Sequence, residues 1–161
     1  ELFLNGKSCG RKAIEPFGHG QWTVPYAPGR LEVKGYRNGI LAAEDCRQTS
    51  KAPARLRLTM ENSCRADGQE LAIFTCTCVD EDGLYVPDAA EYVTFSVEAP
   101  ARLVGTGSDN CDHIRVTEPS RRMYAGRIAV AVRPEEGQKS ITLYARSAAC
   151  GLCRLRVQLE T

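Results

Sequence analysis

The sequence predicts an all-β chain, and three observations carry that reading. Apolar and polar residues alternate with a period of two in run after run, from Leu31 and Val33 to Leu155, Val157 and Leu159. Turn chemistry falls between the runs, at Asn5-Gly6, Asn38-Gly39, Ala66-Asp67-Gly68 and Asp80-Glu81-Asp82-Gly83. No segment keeps a 3.6-residue apolar period over more than two helical turns.

Residues 1–50 read as one unit. Leu2-Phe3-Leu4 runs into Asn5-Gly6, the pair best suited to the positive φ angles of a type I′ hairpin. Trp22-Thr23-Val24-Pro25-Tyr26 alternates and is expected as a strand, with Trp22, Val24 and Tyr26 on one core-facing side. Leu31 and Val33 oppose Glu32 and Lys34, and Asn38-Gly39 returns the chain into a strand from Ile40 to Thr49. Four or so strands are too few for a closed sandwich. The unit is therefore expected to be a partial β-sandwich whose missing strands lie upstream. The chain opens at Glu1, inside a strand and without an initiator Met, which reads as a piece of a longer polypeptide.

Residues 51–161 read as a second, complete unit of roughly the length of an immunoglobulin domain, about 100 residues. Leu56, Leu58 and Met60 alternate with Arg55, Arg57 and Thr59. Val93/Phe95/Val97, Ile128/Val130/Val132, Ile141/Leu143/Ala145 and Leu155/Val157/Leu159 repeat the pattern. The expected fold is thus a tandem of immunoglobulin-like β-sandwiches, the first incomplete.

Composition excludes several classes of function. Charged residues make up 25% of the chain and the net charge is +1, so no electrostatic pull toward nucleic acid or an anionic membrane is expected. No apolar run is long enough to span a bilayer as a helix.

The eight cysteines invite a disulfide framework or a metal site. Packing explains five of them better. Cys76 and Cys78 share a strand face with Phe74, and Cys9, Cys46 and Cys64 also stand where the pattern wants an apolar residue, a role free cysteine fills. Cys150 and Cys153 form the one CxxC, across a hairpin expected at residues 149–153. No helix follows to depress a thiol pKa, as a redox motif requires. Cys76 and Cys78, roughly 7 Å apart on an extended strand, are too widely spaced to complete a zinc ribbon. Unpaired turn thiols are the expectation at Cys150 and Cys153, with a labile hairpin disulfide as the alternative. No metal and no cofactor is expected.

Other chemistry is sparse. Cys111 and His113 superficially suggest a thiol and its base, but sequence neighbours rarely form such a pair, and Ser108–His113 reads as a polar loop. Asp80–Gly83 offers carboxylates for calcium yet is explained as a turn. No two acids show the spacing logic of a glycosidase pair, so no catalytic residue is assigned. Tyr36, Tyr92 and Tyr144 are the candidates for exposed, sugar-stacking rings.

Glu1-Leu-Phe-Leu-Asn-Gly-Lys-Ser-Cys-Gly-Arg-Lys12 and Trp22-Thr-Val-Pro-Tyr-Ala-Pro-Gly-Arg-Leu-Glu-Val-Lys-Gly-Tyr-Arg-Asn-Gly39 resemble the β-sandwich that follows the catalytic barrel in β-galactosidase-like enzymes of glycoside hydrolase family 2. Pro53–Leu58, Val79–Gly83, Val86–Asp88, Val93–Val97 and Gly105–Gly107 look like the immunoglobulin-like domain that ends those enzymes. These second-unit motifs are shared more loosely with repeats of invasin-type adhesins. The resemblance implies a parent enzyme that cleaves β-linked sugars with two glutamates on an upstream barrel, outside this sequence. It also implies a periplasmic, secreted or cell-surface bacterial location. The partners it implies are the upstream catalytic domain, a neighbouring subunit or a glycan. The cysteines at 9, 46, 64, 76 and 78 stand where relatives usually carry Leu, Val or Ile. Ser108–His113 departs from the Asn-Gly-rich loop usual there. Alternative roles are a carbohydrate-binding module and an adhesin-type spacer.

Overall fold

The computed structural model describes residues 1–109 and 112–160, and its described residues contain strands and turns but no helix. It divides into two compact units, Glu1–Thr49 and Ser50–Thr161.

The first unit is a single sheet of β1 (Leu2–Leu4), β2 (Lys7–Ser8), β3 (Arg30–Arg37) and β4 (Ile40–Gln48), in the order β2-β1-β3-β4. Both Asn-Gly pairs make the expected turns, with φ of 51° and 78° at Asn5-Gly6 and 52° and 80° at Asn38-Gly39. The expected strand at Trp22–Tyr26 does not form, and the chain from Cys9 to Gly29 is irregular. Pro25 and Pro28 cannot donate to a ladder, which undoes the alternation around them. Tyr26 is accordingly 80% exposed rather than core. All nine residues of β4 are exposed, Cys46 among them, and Cys9 is half-buried. The packing role expected of these two cysteines fails because this unit supplies one layer and no facing sheet.

The second unit is a two-layer sandwich. Its first sheet joins β5 (Arg55–Met60), β6 (Ala72–Val79), β8 (Arg102–Gly107) and β10 (Arg127–Arg133), in the order β5-β6-β10-β8. Its second joins β7 (Tyr92–Val97), β9 (Ser120–Arg122), β11 (Ser140–Ser147) and β12 (Gly151–Gln158), in the order β12-β11-β7-β9. In immunoglobulin lettering these are A-B-E-D against G-F-C, with a short extra edge strand beside C. Most of the core follows the alternation: Leu56, Leu58, Phe74, Val93, Phe95, Ile128, Val130, Val132, Ile141, Leu143, Ala145 and Leu159 are buried, while Met60, Val97, Leu155 and Val157 are only partly buried. Cys64, Cys76 and Cys78 join them at 1% exposure or less. Gly126 is obligatory in the turn into β10: its φ is +65°, and a Cβ there would stand 2.2 Å from the carbonyl oxygen of Val86.

Candidate functional site

The three tyrosines singled out from sequence meet different fates. Tyr36, on β3, is half-buried and lines a concavity of ≈ 760 Å³ with Arg11, Lys12, Trp22 and Lys34. Its ring is already covered, since the Arg11 guanidinium lies 4.2 Å from the ring centroid. Lys12 Nζ stands 5.5 Å from the Trp22 ring, whose Nε1 donates to the Gly10 carbonyl at 3.1 Å. A sugar stacking on either ring would first displace a cation of the same chain. Tyr26 lies apart from them, beside a smaller apolar hollow lined by Leu4, Val24 and Leu31.

Tyr92 and Tyr144 lie on the outer face of the second sheet of the sandwich. Directly opposed residues on neighbouring strands project from the same side, and the register sets Tyr92 against Arg122, Tyr144 against Ser96 and Arg154, and Arg146 against Thr94 and Leu152. Arg156, two residues beyond Arg154, shares the face. This concentrates Arg122, Arg146, Arg154 and Arg156 on one surface, all four exposed. Tyr144 is engaged: its hydroxyl donates to the Glu98 carboxylate, and Arg154 lies 5.9 Å from its ring centroid. That hydrogen bond raises the Tyr144 pKa and lowers that of Glu98, which Thr142, Arg154 and Arg156 depress further. Tyr92 is 56% exposed and borders a depression shared with Thr94, Arg146 and Leu152. An open ring beside a guanidinium fork can stack on a sugar's apolar face while the fork takes its hydroxyls or carboxylate. Of the three candidates, Tyr92 alone has an uncovered ring.

The polar groups in turns are committed to structure. Asp80 is fully buried, and its carboxylate accepts the backbone N–H groups of Lys51 at 2.8 Å, Leu84 at 2.8 Å and Asp82 at 3.0 Å. Those bonds, Lys51 first, hold its pKa below the usual carboxylate range. Glu81 and Asp82 pair with Lys51 Nζ at 2.5 and 3.0 Å, and they raise the pKa of that ammonium. The turn reading of Asp80–Gly83 thus has a full set of partners.

In the loop from Ser108 to His113, Asn110 and Cys111 lie outside the described residues, so the suggested Cys111–His113 pair does too. Asp112 accepts from the Ile114 N–H at 2.9 Å, from Ser108 Oγ at 3.1 Å and from the Arg121 guanidinium. These contacts, the Ile114 bond first, lower its pKa. Arg121 is 1% exposed; it also donates to Thr106 Oγ1 at 3.0 Å and to the Arg115 carbonyl at 2.8 Å. Sequence reasoning passed over this arginine. The available signal was its place beside Met123 on the inward side of a short alternation, opposite Val93, but its partners sit six to fifteen residues away, in β8 and in the loop that follows it.

The CxxC also differs from expectation. The turn closes between Ser147 and Gly151, so Cys153 belongs to β12, opposite Ala145, and is half-buried. Cys150 is only 9% exposed and packs inward, its Sγ 3.9 Å from Cys78 Sγ.

Two facing sheets in A-B-E-D and G-F-C order make residues 50 onward an immunoglobulin-like β-sandwich. Residues 56–154 match the family described as glycoside hydrolase family 2 C-terminal domain 5, and the chain belongs to that family. Residues 1–43 match a domain of unknown function, DUF4982. The chain is 31% identical over 164 residues to the β-galactosidase BoGH2A of Bacteroides ovatus, covering 99% of this chain and 19% of that protein. Among solved structures it resembles a glycosyl hydrolase family 2 member from Bacteroides cellulosilyticus, with TM-score 0.85 and 28% identity over 98% of this chain and 22% of the other. A β-glycosidase from Bacteroides vulgatus gives TM-score 0.81 and 28% identity over 98% and 21%. The chain therefore spans about a fifth of the length of these bacterial glycosidases. Among the described residues no helix is long and apolar enough to cross a membrane.

Proposed function

We propose that this chain is a non-catalytic accessory region of a β-galactosidase-type glycoside hydrolase, with its catalytic glutamates on another part of the same polypeptide. Its role is packing: it buttresses the catalytic domain or a neighbouring subunit, in a periplasmic, secreted or cell-surface enzyme. The match over residues 56–154 carries the reading. It is supported by Asp80 and Asp112, whose carboxylates are saturated by structural donors instead of being poised for proton transfer. The test is an assay of this chain on nitrophenyl β-galactoside, in material free of host galactosidase. No turnover is expected, and hydrolysis above a buffer blank refutes the reading.

A second reading, a carbohydrate-binding surface, is favoured by the uncovered Tyr92 ring among Arg122 and Arg146. Affinity gel electrophoresis against β-glycans checks it. Retardation abolished by Tyr92→Ala supports binding, and unchanged mobility on neutral and uronate-containing glycans alike removes it.

A further inference from the structure

We propose that Cys78 and Cys150 are a modification site, an oxidative cross-link between the two sheets of the sandwich, formed by exchange with a low-molecular-weight disulfide. Cys78 lies near the end of β6 in the first sheet, and Cys150 lies in the turn leaving β11 in the second. They are 72 residues apart in sequence, yet their sulfurs stand 3.9 Å apart in the core. A disulfide needs about 2.0 Å, so the two sulfurs must move closer together to bond. The position has a structural logic. β6 and β11 are the second strands of their sheets, the B and F positions that an immunoglobulin domain joins by its inter-sheet bridge. Here the second sulfur sits three residues past the end of β11. Cys153, the neighbour that sequence spacing offers to Cys150, is fixed in β12 opposite Ala145.

The two residues differ in exposure, and this sets the order of events proposed. Cys150 keeps 9% exposure in its turn and Cys78 keeps none. Cys150 Sγ attacks one sulfur of the small disulfide RSSR; the S–S bond of the reagent breaks, and RSH leaves with the Cys150 proton. Cys78 Sγ then attacks Cys150 Sγ in that mixed disulfide, and the second RSH leaves with the Cys78 proton. Two protein thiols are oxidised and one RSSR is reduced to two RSH. Burial pushes the Cys78 thiol up to about 12, so the second step is slow in the closed fold near neutral pH and quickens as pH rises.

The experiment uses the whole 161-residue chain. It is incubated with oxidised glutathione, denatured, alkylated and digested without reductant. The expected result is a peptide pair linking Cys78 to Cys150, a thiol titre lower by two, and a rise in Tm of roughly 10–20 °C that dithiothreitol reverses. Cys150→Ala should abolish the linked pair and Cys153→Ala should leave it. Mapping the unmodified chain needs neither variant to fold. The proposal fails if Cys78 is alkylated after oxidation, whether Cys150 is then free, glutathionylated or joined to Cys153.

Discussion

In β4 of the first unit all nine residues are exposed, whereas in β6 of the second unit six of eight are buried. Both strands belong to antiparallel ladders of similar length, and both carry apolar residues and cysteine. The difference lies in what faces them. β6 looks across the sandwich to a second sheet, and its Phe74, Cys76 and Cys78 fill that space at 0% exposure. Within residues 1–49 β4 belongs to a single sheet, and Leu41 and Cys46 are exposed in this chain. Alternation sets which residues share a face; burial requires a second layer to cover it.

The comparison predicts a steep asymmetry in mutational cost. Phe74→Ala should destabilise the second unit by about 3–5 kcal/mol, through lost transfer energy and a cavity between sheets. Val33→Ala in β3, where the residue is 39% exposed, should cost about 1 kcal/mol or less. Urea unfolding followed separately in each unit checks this, and similar costs at both sites would erase the distinction. Arg121→Met should also destabilise the second unit, because it removes the buried guanidinium that donates to Asp112, Thr106 and the Arg115 carbonyl.

Alkaline titration sharpens the same contrast. Burial raises the Cys76 and Cys78 thiols to about 12 from an ordinary 9.0. As pH climbs, the unfolded chain ionises first, so the stabilisation is fully present below about pH 9 and is lost as pH rises through about 12. Denaturant midpoints under reducing conditions should fall across that window, and a Cys76→Val, Cys78→Val chain should show a shallower fall. Hydrogen exchange should find amides of β3 and β4 less protected than those of β6 and β10; equal protection would count against a weaker first unit. The smallest expected effect is at Tyr92, where alanine should change stability by about 0.5 kcal/mol or less.

Much of the second unit was legible in the sequence because inward and outward residues alternate along β5, β7 and β10, whereas β6 and β11 each bury several residues in a row. Leu56, Phe95, Val130 and Leu143 fall where the period of two places them. The Asn-Gly turns were legible for a local reason too, since few other pairs accept two successive positive φ angles. Legibility ended where the deciding partner was absent from the local pattern. Trp22–Tyr26 alternates like a strand, but Pro25 within it and Pro28 just beyond cannot donate to a ladder. Cys46 alternates like core, but within residues 1–49 it lies on a single sheet and is exposed. Arg121 reads as one more surface charge until the preceding loop folds over its guanidinium. The approach of Cys78 to Cys150 spans 72 residues and depends on how two sheets stack. Among the tyrosines, residue type suggested exposure equally for all three; only the structure distinguishes the capped rings of Tyr36 and Tyr144 from the open one of Tyr92.

The carboxylate of Asp80 also bears on how this domain can be isolated. The family match begins at residue 56, yet Asp80 holds the backbone of Lys51. The match ends at residue 154, while β12 runs to Gln158, Leu159 is buried and Glu160 bridges to Arg65. A fragment trimmed to the homology limits would leave a buried anion short of a donor and halve the last strand. The folding module extends at least from Lys51 to Glu160, and dissection of larger relatives should keep those flanks.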